Sequence, residues 1–305
     1  MKGLELSRKF YSEVGEGMLK EQFPELMPLL AVGLIGSGSE CYGFDDEVSL
    51  DHDFEPAFCI FVPSSLDRKT IFSLERAYDK LPETFMGFSR QRVSPVGGRR
   101  HGVIITEDFF ADKVIKGDGR LSLYDWLSVP EFSLYEAVNG EIFLDNLGEV
   151  SAIRERLSYY PEDIRLKKLA GRILLAAQAG QYNYGRSISR GDTGAAQLAA
   201  IEFAKNIMAA IFLINKTYMP YYKWSFRALR ELPMLSDLGG SLEYLISSGN
   251  GEGESAKKAA LIEDISKKIA SALGEEGGFL EPIAYMINDK IGDNNLRNMH
   301  ILCGV

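Results

Sequence analysis

Two apolar runs, LLAVGLIG (residues 29–36) and FEPAFCIFV (54–62), are too short for helices and too apolar for a surface. The first is closed by glycine, and both have the length of a buried strand. A third run, GVIIT (102–106), reads the same way. Helical spacing flanks them. Leu6, Phe10, Val14 and Met18 recur every four residues over 5–22, and Leu66, Ile71, Leu74, Ala77 and Leu81 mark a helix over 65–81. Between the second helix and the third strand lies a basic, turn-rich stretch, SRQRVSPVGGRRHG, in which Arg90, Arg92, Arg99 and Arg100 suit a solvated face.

Beyond about residue 150 the strand signals fade. Residues 151–181, 193–218 and 256–273 have helical periodicity, and Asp192 stands where it can cap the second of these. The expected organisation is an α/β domain over 1–150, a mixed sheet with flanking helices, followed by an all-α helical domain over 151–305. The 305 residues are 46% hydrophobic and 25% charged, with a formal charge of −9. An acidic chain is a poor nonspecific ligand for a nucleic acid backbone. The three widely spaced cysteines, Cys41, Cys59 and Cys303, suit a reduced compartment. The opening MKGLELSRKFYSE has no signal-peptide core. LAAIEFAKNIMAAIFLIN carries Glu202 and Lys205, so a core helix is expected and no membrane span. A cytoplasmic protein is the expectation.

The segment joining the first two strands, GSGSECYGFDDEVSLDHDF (36–54), is dense in glycine, serine and acids. In a strand Asp51 and Asp53 point to one face and His52 to the other. Two neighbouring carboxylates repel, and a hard divalent cation such as Mg²⁺ resolves the conflict. Gly36-Ser37-Gly38-Ser39, directly after the first strand, offers what a phosphate needs: close backbone approach and hydroxyl donors. Each element alone also reads as a plain turn or a solvated strand end. Asp45, Asp46 and Glu47 read as a solvated turn. His52, His101 and His300 lack metal-ligand spacing.

Glycine-serine followed at modest distance by Asp-x-Asp resembles the nucleotidyltransferase superfamily that includes polymerase beta and the aminoglycoside nucleotidyltransferases. GSGSECYGFDDEVSLDHDF and the later YMPYYKW (218–224) resemble, more narrowly, a bacterial family known as domain of unknown function 4037. The superfamily resemblance implies a nucleotidyltransferase-like first domain, with the nucleotide lying between it and the helical domain. It implies that Gly36, Ser37 and Ser39 hold the phosphates of a nucleoside triphosphate, while Asp51 and Asp53 bind one or two magnesium ions and serve catalysis. A third carboxylate is expected on a later strand. The third strand is apolar, so Glu107 at its end is the available metal ligand, while Asp108 suits the start of a helix.

The same resemblance turns the helical half into the source of cations and of acceptor contacts. Lys223 either presents its ammonium to phosphate or covers an aromatic cluster. Glu202, one helical turn from Asn206, is either a general base for an acceptor hydroxyl or an acid paired with Arg186 or Lys205. Arg186 and Arg190 either meet anions or lie in a solvated loop. Tyr182, Tyr184, Tyr221 and Tyr222 are expected as stacking surfaces. The expected reaction is magnesium-dependent transfer of NMP from an NTP to a small-molecule acceptor, with pyrophosphate released. A tRNA acceptor is disfavoured by the charge. The rival is a catalytically inactive nucleotide-binding regulatory protein.

Overall fold

The computed structural model describes residues 1–48, 54–90 and 100–305. Asp51, His52 and Asp53 lie outside the described residues, as do Arg92 and Arg99. The chain forms two compact units. The first comprises Met1–Leu121 and Phe132–Ser158, the second Ser122–Glu131 and Tyr159–Val305. Residue 150, where the composition shifts, falls inside the helix Glu149–Arg156, which belongs to the first unit. The change in composition is therefore not the change in packing.

The first unit is built on strands β1 (Ala31–Leu34), β2 (Cys59–Val62), β3 (Thr84–Phe85), β4 (Phe88–Ser89), β5 (Gly102–Ile105) and β6 (Glu141–Asp145). Strands β3 and β4 make a separate hairpin; the other four form a sheet ordered β5-β2-β1-β6. β1 runs antiparallel to β2 and β6, whereas β2 and β5 are parallel. β6 gave no sequence signal because its residues are all half-buried, without the alternation that marks a strand.

Every residue of β1 and β2 is buried, since both faces of the sheet are covered. Leu30, Val32, Phe58, Ile60 and Val62 join a core with Phe10, Leu19, Leu74 and Tyr78 from the two early helices. On the other face Phe61 meets the edge of Phe109, 5.4 Å away, from the helix Thr106–Val114. The first helix is continuous but not uniform: Gly3–Phe10 and Glu16–Gln22 flank a π-helical turn, Tyr11–Gly15. An apolar stripe with strict four-residue spacing drifts by about 40° per step on an α-helix. The wider π turn offsets that drift and keeps Phe10 and Leu19 in one core.

The helix Arg68–Asp79 is closed at both ends. Asp67 accepts from the amides of Lys69 and Thr70, each at 3.0 Å. Arg90 donates to the carbonyls of Tyr78 and Leu81, both at 3.2 Å, and lies 4.7 Å over the Tyr78 ring. Arg90 is thus a helix-end support and not the solvated cation expected. Asp45 is a second correction. It is buried and accepts from the Gly3 amide at 2.8 Å, which satisfies an open donor at the start of the first helix.

In the second unit, Glu162–Ala176, Thr193–Ile214, Glu252–Ala272 and Leu280–Asp289 are the main helices. Asp192 caps the second of them as expected, accepting from the Ala195 amide at 2.9 Å. Thr193–Ile214 is long and apolar enough to cross a membrane by composition, yet 67% of its apolar window is buried within the protein. Three buried lysines hold distant segments. Lys167 donates to Asn288 and the Met299 carbonyl, Lys168 to the Gly304 carbonyl, and Lys258 to Gln197 and the Ser248 carbonyl, at 2.7–2.9 Å. All three cysteines are free thiols.

Candidate functional site

The turn after β1 is shaped by glycine. Gly36 has φ +106° and Gly38 has φ +127°, backbone that other residues rarely adopt. Asn139, buried, clamps the first of them twice: its amide oxygen accepts from the Gly36 N–H at 2.9 Å, and its amide nitrogen donates to the Gly36 carbonyl at 2.8 Å. At Gly38 there is no room for a side chain, because a Cβ would lie 2.0 Å from Arg100 Nη2 and 2.4 Å from Glu40 Oε1.

That crowding marks the centre of the site. Arg100 Nη2 donates to Glu40 Oε1 at 2.6 Å and to the Ser37 carbonyl at 2.7 Å. Glu40 is buried and Arg100 partly so. Ser37 stands exposed beside them. The amides of Ser37, Gly38 and Ser39, and the hydroxyls of Ser37 and Ser39, donate to no other described residue. Several donors thus line one small turn, with a guanidinium lying against it. Behind it, Tyr42 donates to Glu136 at 2.8 Å, Lys113 donates to the same carboxylate at 2.7 Å, and Tyr135 stacks on Tyr42 at 5.0 Å.

Strand register fixes which residues share this end of the sheet. Gly33 pairs with Cys59, so the turn after β1 lies where β2 begins. β5 runs parallel to β2, with Cys59 opposite Gly102, so Arg100 and His101 precede β5 at that same end. His101 Nδ1 sits 3.1 Å from Glu55 Oε1. Glu107 follows the far end of β5, where Val62 pairs with Ile105. There it accepts from the Ser64 amide at 3.1 Å and from the Ser64 hydroxyl. The structure therefore does not bring Glu107 to the glycine-serine turn. Asp108 lies in the first turn of Thr106–Val114. Among the described residues no group of three metal-ligating side chains converges. Asp51 and Asp53 are outside that set.

Burial raises both thiols near the turn, Cys41 well above the ordinary range and Cys59 to about 12, so neither supplies a thiolate nucleophile near neutral pH. Arg100 is thus not the solvated cation expected from the sequence. Its only signal was a basic doublet before a strand, and strand order decides where that doublet goes.

The remaining candidates belong to the second unit. Glu202 is half-exposed; Lys205 donates to it at 3.1 Å and Asn206 at 2.9 Å. Burial pushes its pKa up, but these two hydrogen bonds together with the charges of Lys205 and Arg172 hold it below the usual carboxylate range. Lys223 is exposed with its ammonium 5.0 Å over the ring of Trp224, and Tyr221 and Tyr222 lie 4.5 Å apart. Arg186 stacks 4.7 Å over exposed Tyr182, and with Gln181, Ser189 and Arg190 they line a shallow groove. Tyr184 is not a stacking surface. It is fully buried, and its hydroxyl donates to Asn250 at 3.0 Å.

Residues 126–225 match the model of a family described as a domain of unknown function (DUF4037). The matched stretch contains YMPYYKW, whereas the glycine-serine segment lies wholly upstream of it. No curated protein and no solved structure matches the chain.

Proposed function

We propose that the chain is a magnesium-dependent nucleotidyltransferase, moving NMP from an NTP to a small-molecule acceptor and releasing pyrophosphate. The observation that carries this reading is the glycine-serine turn. It is clamped by Asn139, it offers amides and hydroxyls with no other described partner, and it lies at the end where β2 begins. Asp51-x-Asp53 precedes that strand in the sequence. Phosphate oxygens are strong acceptors, and converging backbone donors form a concavity suited to them.

In this reading Gly36, Ser37 and Ser39 receive the triphosphate. Asp51 and Asp53 would hold magnesium, for which a pair of hard carboxylates is a suitable donor set, and the ion would supply charge neutralisation. Glu202, in the second unit, has a depressed pKa and is therefore a weak proton acceptor, which disfavours it as a general base. Lys223 and the Tyr221–Tyr222 pair offer a cation and aromatic faces on the second unit.

The second reading, a nucleotide-binding regulatory protein without turnover, is favoured by the position of Glu107, which is engaged by Ser64 at the far strand end. One assay separates the two. Pure protein is incubated with each NTP, Mg²⁺ or Mn²⁺ and mixed acceptors, while pyrophosphate release and NTP binding are followed. Release supports the transferase; binding without release supports the regulator; neither rejects both. Asp51→Asn is expected to abolish metal-dependent binding or release and leave the melting temperature unchanged or higher, because carboxylate repulsion is relieved. Full activity in that variant removes Asp51 from the mechanism.

A further inference from the structure

We propose that the groove along Tyr182, Arg186 and Arg190 is an anion site of the second unit, taking the phosphoryl group of a phosphomonoester. It rests neither on the glycine-serine turn nor on the transferase reading. The helix Glu162–Ala176 continues through the π-helical segment Ala177–Tyr184 into Gly185–Ser189, and Arg190 stands at its C-terminal cap. Residues four apart on a helix are neighbours, with about 6 Å between their Cβ atoms. Tyr182, Arg186 and Arg190 therefore form one row, and Gln181, Gly185 and Ser189 the row beside it. Gly185 makes the floor, since no atom lies within 4 Å of where its Cβ would stand. The groove encloses about 470 Å³, which is room for a phosphate and part of the group that carries it.

Acids outnumber lysines and arginines in this chain by 43 to 34, yet among the described residues no carboxylate is paired with Arg186 or Arg190. The acids close by are engaged elsewhere. Asp192 caps the next helix, accepting from the Ala195 amide at 2.9 Å, and Glu263 accepts from the Gln181 side chain at 3.1 Å. Gln181 also donates to the Gly278 carbonyl at 2.9 Å and accepts from the Leu280 amide at 3.0 Å, so it is a wall and not a ligand. The Ser189 hydroxyl donates to the Gly185 carbonyl at 2.9 Å. Two guanidiniums remain. Arg186 lies 4.7 Å over the Tyr182 ring, a contact that restrains it and consumes none of its five N–H donors. Each guanidinium fork takes two oxygens of an anion, and two forks side by side suit the near-double charge of a phosphomonoester better than the single charge of a carboxylate. The exposed ring of Tyr182 gives the organic part a flat apolar surface.

The test follows binding of phenyl phosphate, inorganic phosphate and acetate to the full-length chain by calorimetry, without metal or NTP, so that its outcome is independent of turnover. Phenyl phosphate is expected to bind most tightly and acetate most weakly. Arg186→Gln and Arg190→Gln are each expected to weaken phenyl phosphate binding by about tenfold. Arg186→Lys keeps the charge and loses the planar fork, so it is expected to weaken binding too; a diffuse positive field predicts no change there, and that outcome overturns the site. Gly185→Leu fills the floor. Leucine is the better helix former and the Cβ position is open, so the melting temperature of the free protein is expected to hold or rise while binding is lost. Unchanged binding in Gly185→Leu, or in the chain carrying both Arg→Gln changes, places the phosphate elsewhere and overturns the site. A wild-type chain that binds none of the three anions does the same. Equal affinity for phenyl phosphate and inorganic phosphate overturns the ester and leaves free phosphate as the ligand.

Discussion

At the scale of single residues, charge is placed against burial in this protein, and the consequences are measurable. Lys168 is buried, and burial lowers its pKa to about 8; the nearby Glu131 opposes the shift and Arg172 adds to it. The unfolded chain keeps that ammonium protonated to about pH 10.4. Between the two values the unfolded state binds more protons, so stability rises with pH through that window and the gain is absent below pH 8. The contribution is on the order of 3 kcal/mol across the window. Urea unfolding of the wild type and Lys168→Met at pH 7.5 and 10 is expected to show it. The difference between the two curves should shift in favour of the wild type as pH rises. A difference that does not change with pH would mean that Lys168 has an ordinary pKa.

At the scale of elements, short polar contacts decide whether the site exists. Asn139 follows the helix Glu131–Val138 and precedes β6, and from there it pins Gly36 by two hydrogen bonds. Asn139→Ala leaves a buried amide and a buried carbonyl without partners, which costs about 2 kcal/mol. It should also weaken pyrophosphate binding, because the turn's donors are no longer held together. A lowered denaturation midpoint with unchanged pyrophosphate affinity would show that the clamp supports the fold and not the site. Local chemistry of this kind was partly legible. Asp192 was readable as a cap because its carboxylate precedes a helical pattern. Arg90 and Asp45 were not. Each serves an element remote from it in sequence or hidden by a turn-like composition, and both looked like solvated charge.

For the whole molecule, the net charge of −9 sets what it can bind without a specific site. Nonspecific association with RNA depends on neutralising phosphates with basic groups. Binding of tRNA is therefore expected to be no tighter than about micromolar at physiological salt. Filter binding at two ionic strengths checks this. Nanomolar affinity that falls steeply with salt would restore an RNA acceptor in place of a small molecule.

What the sequence determined by itself was local. The lengths of the apolar runs gave three strands, their spacing gave the helices, and Gly36-Ser37-Gly38-Ser39 with Asp51-x-Asp53 gave the candidate chemistry. These follow from periodicity, from glycine's access to positive φ and from the demand of paired carboxylates for a cation. The tertiary structure decided the company that chemistry keeps. It set Arg100 against the turn, left Glu107 at the far end of β5 and buried Tyr184. The physical reason is strand direction. β2 and β5 are parallel and joined by a long crossover, so which of their flanking residues share an end depends on sheet order, and no local pattern encodes that.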